Sequence, residues 1–256
     1  MVVLGRYDSD TLEGFCGFDA APVGGTMRAS SQLALDGVLE HAFREHQRVL
    51  TRYIQTNKAR YTQFARAITS NLDNPNDVWD RLAFAILSAH APFDASVQAL
   101  QYAASCRGHA TPHALAQWQG MYPKKAKYLN TLPLGVGIGA LLKNGDTWFD
   151  YRLRLQATVK GLGLAKASFA ASLLYPLESD LACIDTHMQR VYLGTSSFHS
   201  LPLRAYLTVE GKVRRLGQET GVNTFLAQWL IWDCARGTVS DHAVFPGQHK
   251  DEAVPF

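Results

Sequence analysis

"VKGLGLAKASFAASLLYPLESDLACIDTHMQRVYLG", Val159 to Gly194, is the stretch on which the reading of the fold turns. It sets a Gly-x-Gly turn between two helical patterns. An apolar run follows, and then Asp185 with Thr186 and His187 at the head of another helix. Two glycines two apart let the chain reverse tightly, and their bare backbone lets N–H groups approach a phosphate. A helix that starts just after the turn adds the positive end of its dipole. Lys160 and Lys166 flank the turn. An ordinary glycine turn between packed helices has the same letters, so the weight rests on what surrounds it. Asp185 likewise has a plain reading as an N-cap, since a carboxylate at a helix start satisfies free N–H groups. The two roles are compatible. A carboxylate at the mouth of a basic groove can also stabilise positive charge or accept a proton.

Working outward, helical spacing dominates. Leu33, Leu35, Val38, Leu39, Ala42 and Phe43 predict a helix from about residue 31, with Tyr53, Tyr61, Phe64 and Ile68 continuing it or forming a second. Asp77 is the expected N-cap of "VWDRLAFAILSAHA", which Pro92 breaks before "FDASVQALQYAAS" restarts a helix. "TPHALAQWQGMY" and "PKKAKYLNTL" are short amphipathic pieces, and "LPLGVGIGALLKNGDTW" reads as helix interrupted by turns. "LRAYLTVEGKVRRLGQETG" and "VNTFLAQWLIWDCARG" are the last two helices. No strand alternation stands out, so the fold class is mainly α. Residues 1 to about 30 and the tail after Gly237 lack a clear period.

With 256 residues and 47% hydrophobic content, the chain can bury one large core or two lobes, and 18% charged residues is too few for wholesale disorder. The net charge of +3 means that a polyanion must be met by a local patch. Residues 120–166 offer one: eight basic residues, among them Lys124, Lys125, Lys127, Lys160 and Lys166, stand against Asp146 and Asp150. Cys16, Cys106, Cys183 and Cys234 are too scattered for a zinc ribbon or an iron–sulfur cluster. No metal and no cofactor is expected. No apolar run is long enough to cross a bilayer, and the start lacks a basic-then-apolar leader, so the expectation is a cytoplasmic protein with no membrane partner.

In order along the chain, five pieces resemble the helix-hairpin-helix DNA glycosylase superfamily, the endonuclease III-like group. They are "LAFAILSAHAPFDASVQAL", "YPKKAKYLNTL", "VKGLGLAKASFAASLL", "IDTHMQRVYLG" and "FLAQWLIWDCARG", and together they span roughly residues 77–237. The resemblance implies a two-lobed helical fold with a hairpin at 159–167, double-stranded DNA across the cleft and one nucleotide flipped into it. It makes residues 76–256 the core and residues 1–75 an N-terminal helical extension packed on it. It implies Lys160, Gly161, Gly163 and Lys166 at the DNA strand, and Asp185 as the catalytic carboxylate.

Three departures shape the chemistry. Where bifunctional members of that family carry a nucleophilic Lys, two positions past the second hairpin glycine, this chain has Ala165. Lys166 is next, but one residue along a helix swings a side chain by about 100°. The family's four-cysteine cluster is absent, and "SAHAPFD" places His90 and an extra residue where a Gln-bearing loop is common. "LAFAILSAHAPFDASVQA" together with the missing Lys looks closer to a phage clade of the superfamily that hypermodifies thymine. That resemblance implies that an amine, from a polyamine or other small amine or an amino acid such as glycine, replaces the phosphate or pyrophosphate of a flipped, phosphorylated 5-hydroxymethyluracil. It would place the protein in an infected bacterial cytoplasm. Asp185 is then the leading base, with His187 second, although a glycosylase Asp faces the sugar and this chemistry lies across the ring. A monofunctional glycosylase and a non-catalytic DNA-binding module are the alternatives.

Other residues have two readings each. His90 is a capping or core residue, or a pocket, wedge or catalytic residue, and Phe93 is core or the plug that fills the place of a flipped base. Trp229 and Trp232 are a packing pair on one helix face or a base-stacking platform. Asp233 is solvated or pocket-lining. Tyr128 and Asn130, beside the three-lysine cluster, are candidates to touch DNA, Tyr128 at the pocket, and Arg190 either reaches a phosphate or pairs with a carboxylate.

Overall fold

The computed structural model describes residues 29–69, 71–118, 120–194 and 201–237, with side chains from residue 46 onward. The expected loop at the start of the chain and the aperiodic tail lie outside the described residues. Every regular element among the described residues is helical, as the periodicity implied. In order these are α1 (Ala29–Ala67), α2 (Pro75–Leu87), α3 (Phe93–Ser105), α4 (Pro112–Leu115), α5 (Tyr122–Leu129), a 3-10 helix (Gly135–Leu141), α6 (Trp148–Thr158), α7 (Leu164–Leu174), α8 (Thr186–Leu193), α9 (Leu203–Thr220) and α10 (Thr224–Arg236).

α1 is one helix through the stretch that allowed two. Leu50, Ile54, Tyr61, Ala65 and Ile68 recur at helical spacing and are buried, mainly against α10. α2 begins at Asn74, not at Asp77. Asn74 accepts the Asn76 N–H at 3.1 Å, and Pro75 follows as the first helical residue. Proline suits that place because it lacks the N–H that would go unpaired. Asp77 instead accepts the Asn71 N–H and the Asn74 side chain from the first turn.

Two groups of helices share one continuous apolar core. α2, buried along Val78–Leu87, is the axis of the first and packs on α3, α5, α7 and the 3-10 helix. The second is α1, α8, α9 and α10. The Phe169–Trp229 and Phe64–Trp229 ring contacts join α7 to both α10 and α1. A buried ion pair, Arg152 to Glu210 at 2.8 Å, ties α6 to α9. Fully burying a Phe contributes roughly 1.5–3 kcal/mol, and Phe64 and Trp229 are buried at these joints while Phe169 is half-buried, so the contacts hold the two groups together.

Candidate active site

Asp185 is placed by the extended chain before it. Along residues 180–184 the backbone has no helical partners and borrows them from α9. Glu210 accepts the Ala182 N–H at 3.0 Å, and the Tyr206 hydroxyl donates to the Ala182 carbonyl at 2.6 Å while accepting the Ile184 N–H at 3.2 Å. Leu181, Ala182, Cys183 and Ile184 are all buried, which explains the apolar "LACI". The chain then enters α8 with Asp185 as N-cap, its Oδ1 accepting the Met188 N–H at 3.0 Å. Oδ2 accepts the indole N–H of Trp232 at 2.9 Å. The residue is half-buried. Capping therefore leaves lone pairs on both oxygens for a substrate or water.

His187 is half-buried beside it, edge-on to Trp232 with ring centroids 6.1 Å apart. Burial lowers its pKa, Asp185 pulls it back up in part, and Arg190 and Arg236 lower it further. His187 is thus neutral near pH 7 and can accept a proton.

The hairpin joins α6 to α7. Gly161 has φ +95, and a Cβ there would lie 2.5 Å from Cδ2 of Tyr128, so the position excludes any side chain on two counts. Gly163 differs: it is the N-cap of α7 with φ −77, and a Cβ there would meet nothing within 4 Å. No side chain caps α7. The N–H groups of its first turn therefore have no capping side chain, at the positive end of the helix and in the same hairpin as exposed Lys160. Gly161→Ala is expected to destabilise the fold by about 1–3 kcal/mol. Gly163→Ala is expected to leave the melting temperature unchanged, and thermal denaturation of the two variants side by side checks the contrast.

The basic segment is less available than its composition suggests. Lys125 is 3% exposed, its ammonium donating to the Leu87 and Ala89 carbonyls at 2.9 and 2.6 Å. Burial, then the nearby Lys166, pushes its pKa down to about 8. Lys125 holds the end of α2 and is removed from the set of surface contacts. Lys166 donates to Ser88 Oγ at 3.0 Å and stands over the Phe169 ring. Arg152 is buried on Glu210, and Arg154 binds Asp146 and the Ala140 and Leu142 carbonyls. Lys124, Lys127 and Lys160 remain exposed, as does Arg190 on α8.

Several expected pocket residues sit inside the fold. Trp229 is buried among Phe64, Phe169 and Phe225, because α10 turns that side to α1 and α7. Asp233 is fully buried and accepts a hydrogen bond from the Tyr61 hydroxyl, tying α10 to α1. Trp229 thus takes the packing reading of its pair and is no stacking platform, and Asp233 is neither solvated nor pocket-lining, a correction that follows because α1 covers that side of α10. Tyr128 is packed under Gly161, and Asn130 exchanges two hydrogen bonds with the Ala110 backbone. Phe93 is half-buried between Phe84 and Trp232. Trp232 is half-buried with Arg236 stacked 4.0 Å from its ring centroid.

His90 and Met121 are the two non-glycine residues of positive φ among the described residues, at +51 and +55, and both are exposed. Lys125 links them, reaching the carbonyl that precedes His90 while its own N–H donates to the Met121 carbonyl at 3.1 Å. Such backbone strain on a non-glycine residue persists only where neighbours enforce it. Met121 was missed in the sequence. Its one local signal is an apolar residue between Gly120 and the Tyr122–Pro123 helix start.

Among the described residues no helix is long and apolar enough to cross a membrane, and no three His, Cys, Asp or Glu side chains gather as a metal site would require. No family model matches the sequence, and no curated protein matches it. Solved structures do. The crystal structure of the 8-oxoguanine DNA glycosylase of Thermotoga maritima is similar over 77% of this chain and 99% of its own, with a TM-score of 0.63 and 22% identity. The 8-oxoguanine glycosylase/lyase of Methanocaldococcus jannaschii, bound to a 15mer DNA containing 8-oxoguanine, is similar over 75% of this chain and 99% of its own, with a TM-score of 0.63 and 19% identity. At this identity the likeness is one of fold: the chain has the helix-hairpin-helix glycosylase architecture that its five sequence pieces resemble.

Proposed function

We propose that this chain binds duplex DNA, turns one modified nucleotide out of the stack and cleaves the bond between its base and its sugar, without bonding covalently to the DNA. The carrying observation is Asp185, a half-buried carboxylate whose two oxygens are each fixed by an N–H donor. An acceptor held in this way is preorganised to stabilise a cation at the sugar carbon. The base departs with the electrons of the glycosidic bond and takes up a proton. Water then adds to the sugar, and neutral His187 is within the same site to accept its proton.

The fold supports the DNA partner, since its solved neighbours are DNA glycosylases and one of them holds DNA. The open first turn of α7 supplies N–H groups for a phosphate, with Lys160 alongside. Exposed Met121 and His90 are suited to fill the gap and meet the estranged base. Ala165 bears no amine, which argues against the lyase half of the glycosylase/lyase chemistry.

The test is a panel of duplexes, each with one modified base, 8-oxoguanine among them. Base release followed by strand scission only after alkali supports the proposal. Scission without alkali, or a borohydride-trapped cross-link, would overturn the non-covalent part of it. Lys160→Ala is expected to shallow the dependence of log affinity on log salt by about 0.9, measured by fluorescence anisotropy. An unchanged slope removes Lys160 from the interface.

A second reading is amine transfer to a phosphorylated thymine derivative. His187 stands beside Asp185 and edge-on to Trp232, placed to take the proton that the amine loses once it has attacked and displaced the phosphate. Nucleoside mass spectrometry separates the readings: a heavier nucleoside marks transfer, and free base with an abasic site marks hydrolysis. A duplex that binds and yields neither would leave a DNA-binding module.

A further inference from the structure

We infer that Trp232 is a positioning residue for the Asp185 carboxylate, rather than a stacking platform for an extruded base. The inference deepens the proposed function and rests on it. The Trp232 indole N–H donates to Asp185 Oδ2 at 2.9 Å across 47 positions of sequence, joining α10 to the head of α8. Oδ1 is already engaged by the Met188 N–H, a bond that any N-capping carboxylate makes. A single capping bond leaves the carboxylate free to rotate about it. The indole bond removes that freedom and decides which lone pairs face outward.

The ring is itself held on several sides. Arg236 stacks on it at 4.0 Å, His187 meets it edge-on, and Phe93 leans against it with centroids 6.4 Å apart. Arg236 covers one face of the indole, so that face is closed to a nucleobase. Phe93 in turn packs edge-on against Phe84 of the buried helix α2. The chain of contacts from the core through Phe93 and Trp232 to Asp185 gives the carboxylate a rigid support, as a charge-stabilising group requires. A hydrogen bond to an ionised group strengthens it more than a neutral pair would.

The test reads the carboxylate without knowledge of the base. Two duplexes carry abasic analogues at one site: a pyrrolidine, cationic at neutral pH and a mimic of the sugar cation, and a tetrahydrofuran, its neutral counterpart. The wild-type protein is expected to bind the pyrrolidine duplex at least about tenfold more tightly. Trp232→Phe keeps an aromatic ring and removes only the donor. It should lose about tenfold of that preference, with tetrahydrofuran affinity and melting temperature close to wild type. In an Asp185→Asn background, where the preference is already gone, Trp232→Phe should change nothing more.

Retention of the preference in Trp232→Phe overturns the inference. An equal fall in both affinities with a lowered melting temperature also overturns it, because it marks a merely structural tryptophan. A wild-type protein that binds both duplexes but does not distinguish them sinks the proposed role of Asp185 itself, and that result is separable from the first two.

Discussion

On the proposed glycosylase reading, Asp185→Asn is expected to lower turnover by about 10²–10³-fold or more while duplex affinity stays within about twofold. Asparagine has the same shape and is as good an N-cap, so the Met188 N–H keeps its acceptor and α8 keeps its start. What changes is the charge and the second partner. An amide cannot stabilise a sugar cation as a carboxylate does, and if its nitrogen turns toward Trp232 it meets another donor. Duplex affinity is expected to come from phosphate contacts, which a negatively charged carboxylate is unsuited to make. Single-turnover base release and anisotropy on the same duplex check both halves. Equal activity would remove Asp185 from the mechanism, while a collapse in affinity would mean that the hairpin and the carboxylate are not separate parts.

Glu210→Ala carries the largest expected cost to stability, about 3–5 kcal/mol. Glu210 receives Arg152 at 2.8 Å and the Ala182 N–H at 3.0 Å through one oxygen. Arg152 is fully buried, and its Nε and Nη2 have no hydrogen-bond partner among the described residues, the guanidinium lying over the Phe149 and Tyr206 rings. Removing the carboxylate leaves a guanidinium in the core with no counter-charge. For a chain of this size the melting temperature should fall by about 6–20 °C. The same change frees residues 180–184, so base release should fall beyond what unfolding explains. Arg152→Met with Glu210→Leu removes both charges and should recover most of the melting temperature. A double variant as unstable as the single one would show that the carboxylate matters for its backbone bond rather than for the charge.

The hairpin and Asp185 were legible because each rests on local chemistry. Gly161 and Gly163 mark a turn between two helical periods, and an Asp after an apolar run marks a helix start. Gly161 meets the condition for an obligatory glycine, and Asp185 caps α8 as its position implied. The basic patch was misread for an equally physical reason. Counting lysines and arginines over residues 120–166 treats each as a surface charge, yet Lys125 and Arg152 are used inside the fold, one on helix-end carbonyls and one on Glu210. The tryptophan pair divides in the same way. Trp229 and Trp232 lie three apart on one side of α10, and only the arrangement of α1, α7 and α8 around that helix sends one to the core and the other to Asp185.

The sequence by itself determined where the helices run, where the chain turns back on glycine, and that a carboxylate stands at the head of α8. These follow from backbone preferences and apolar spacing within a few residues. Tertiary structure alone decided which polar side chains meet. Lys125 reaches Leu87 across 38 positions, Glu210 reaches Ala182 across 28 and Trp232 reaches Asp185 across 47. A buried donor or acceptor must find a partner, and which one it finds depends on how whole helices pack, which no local pattern records.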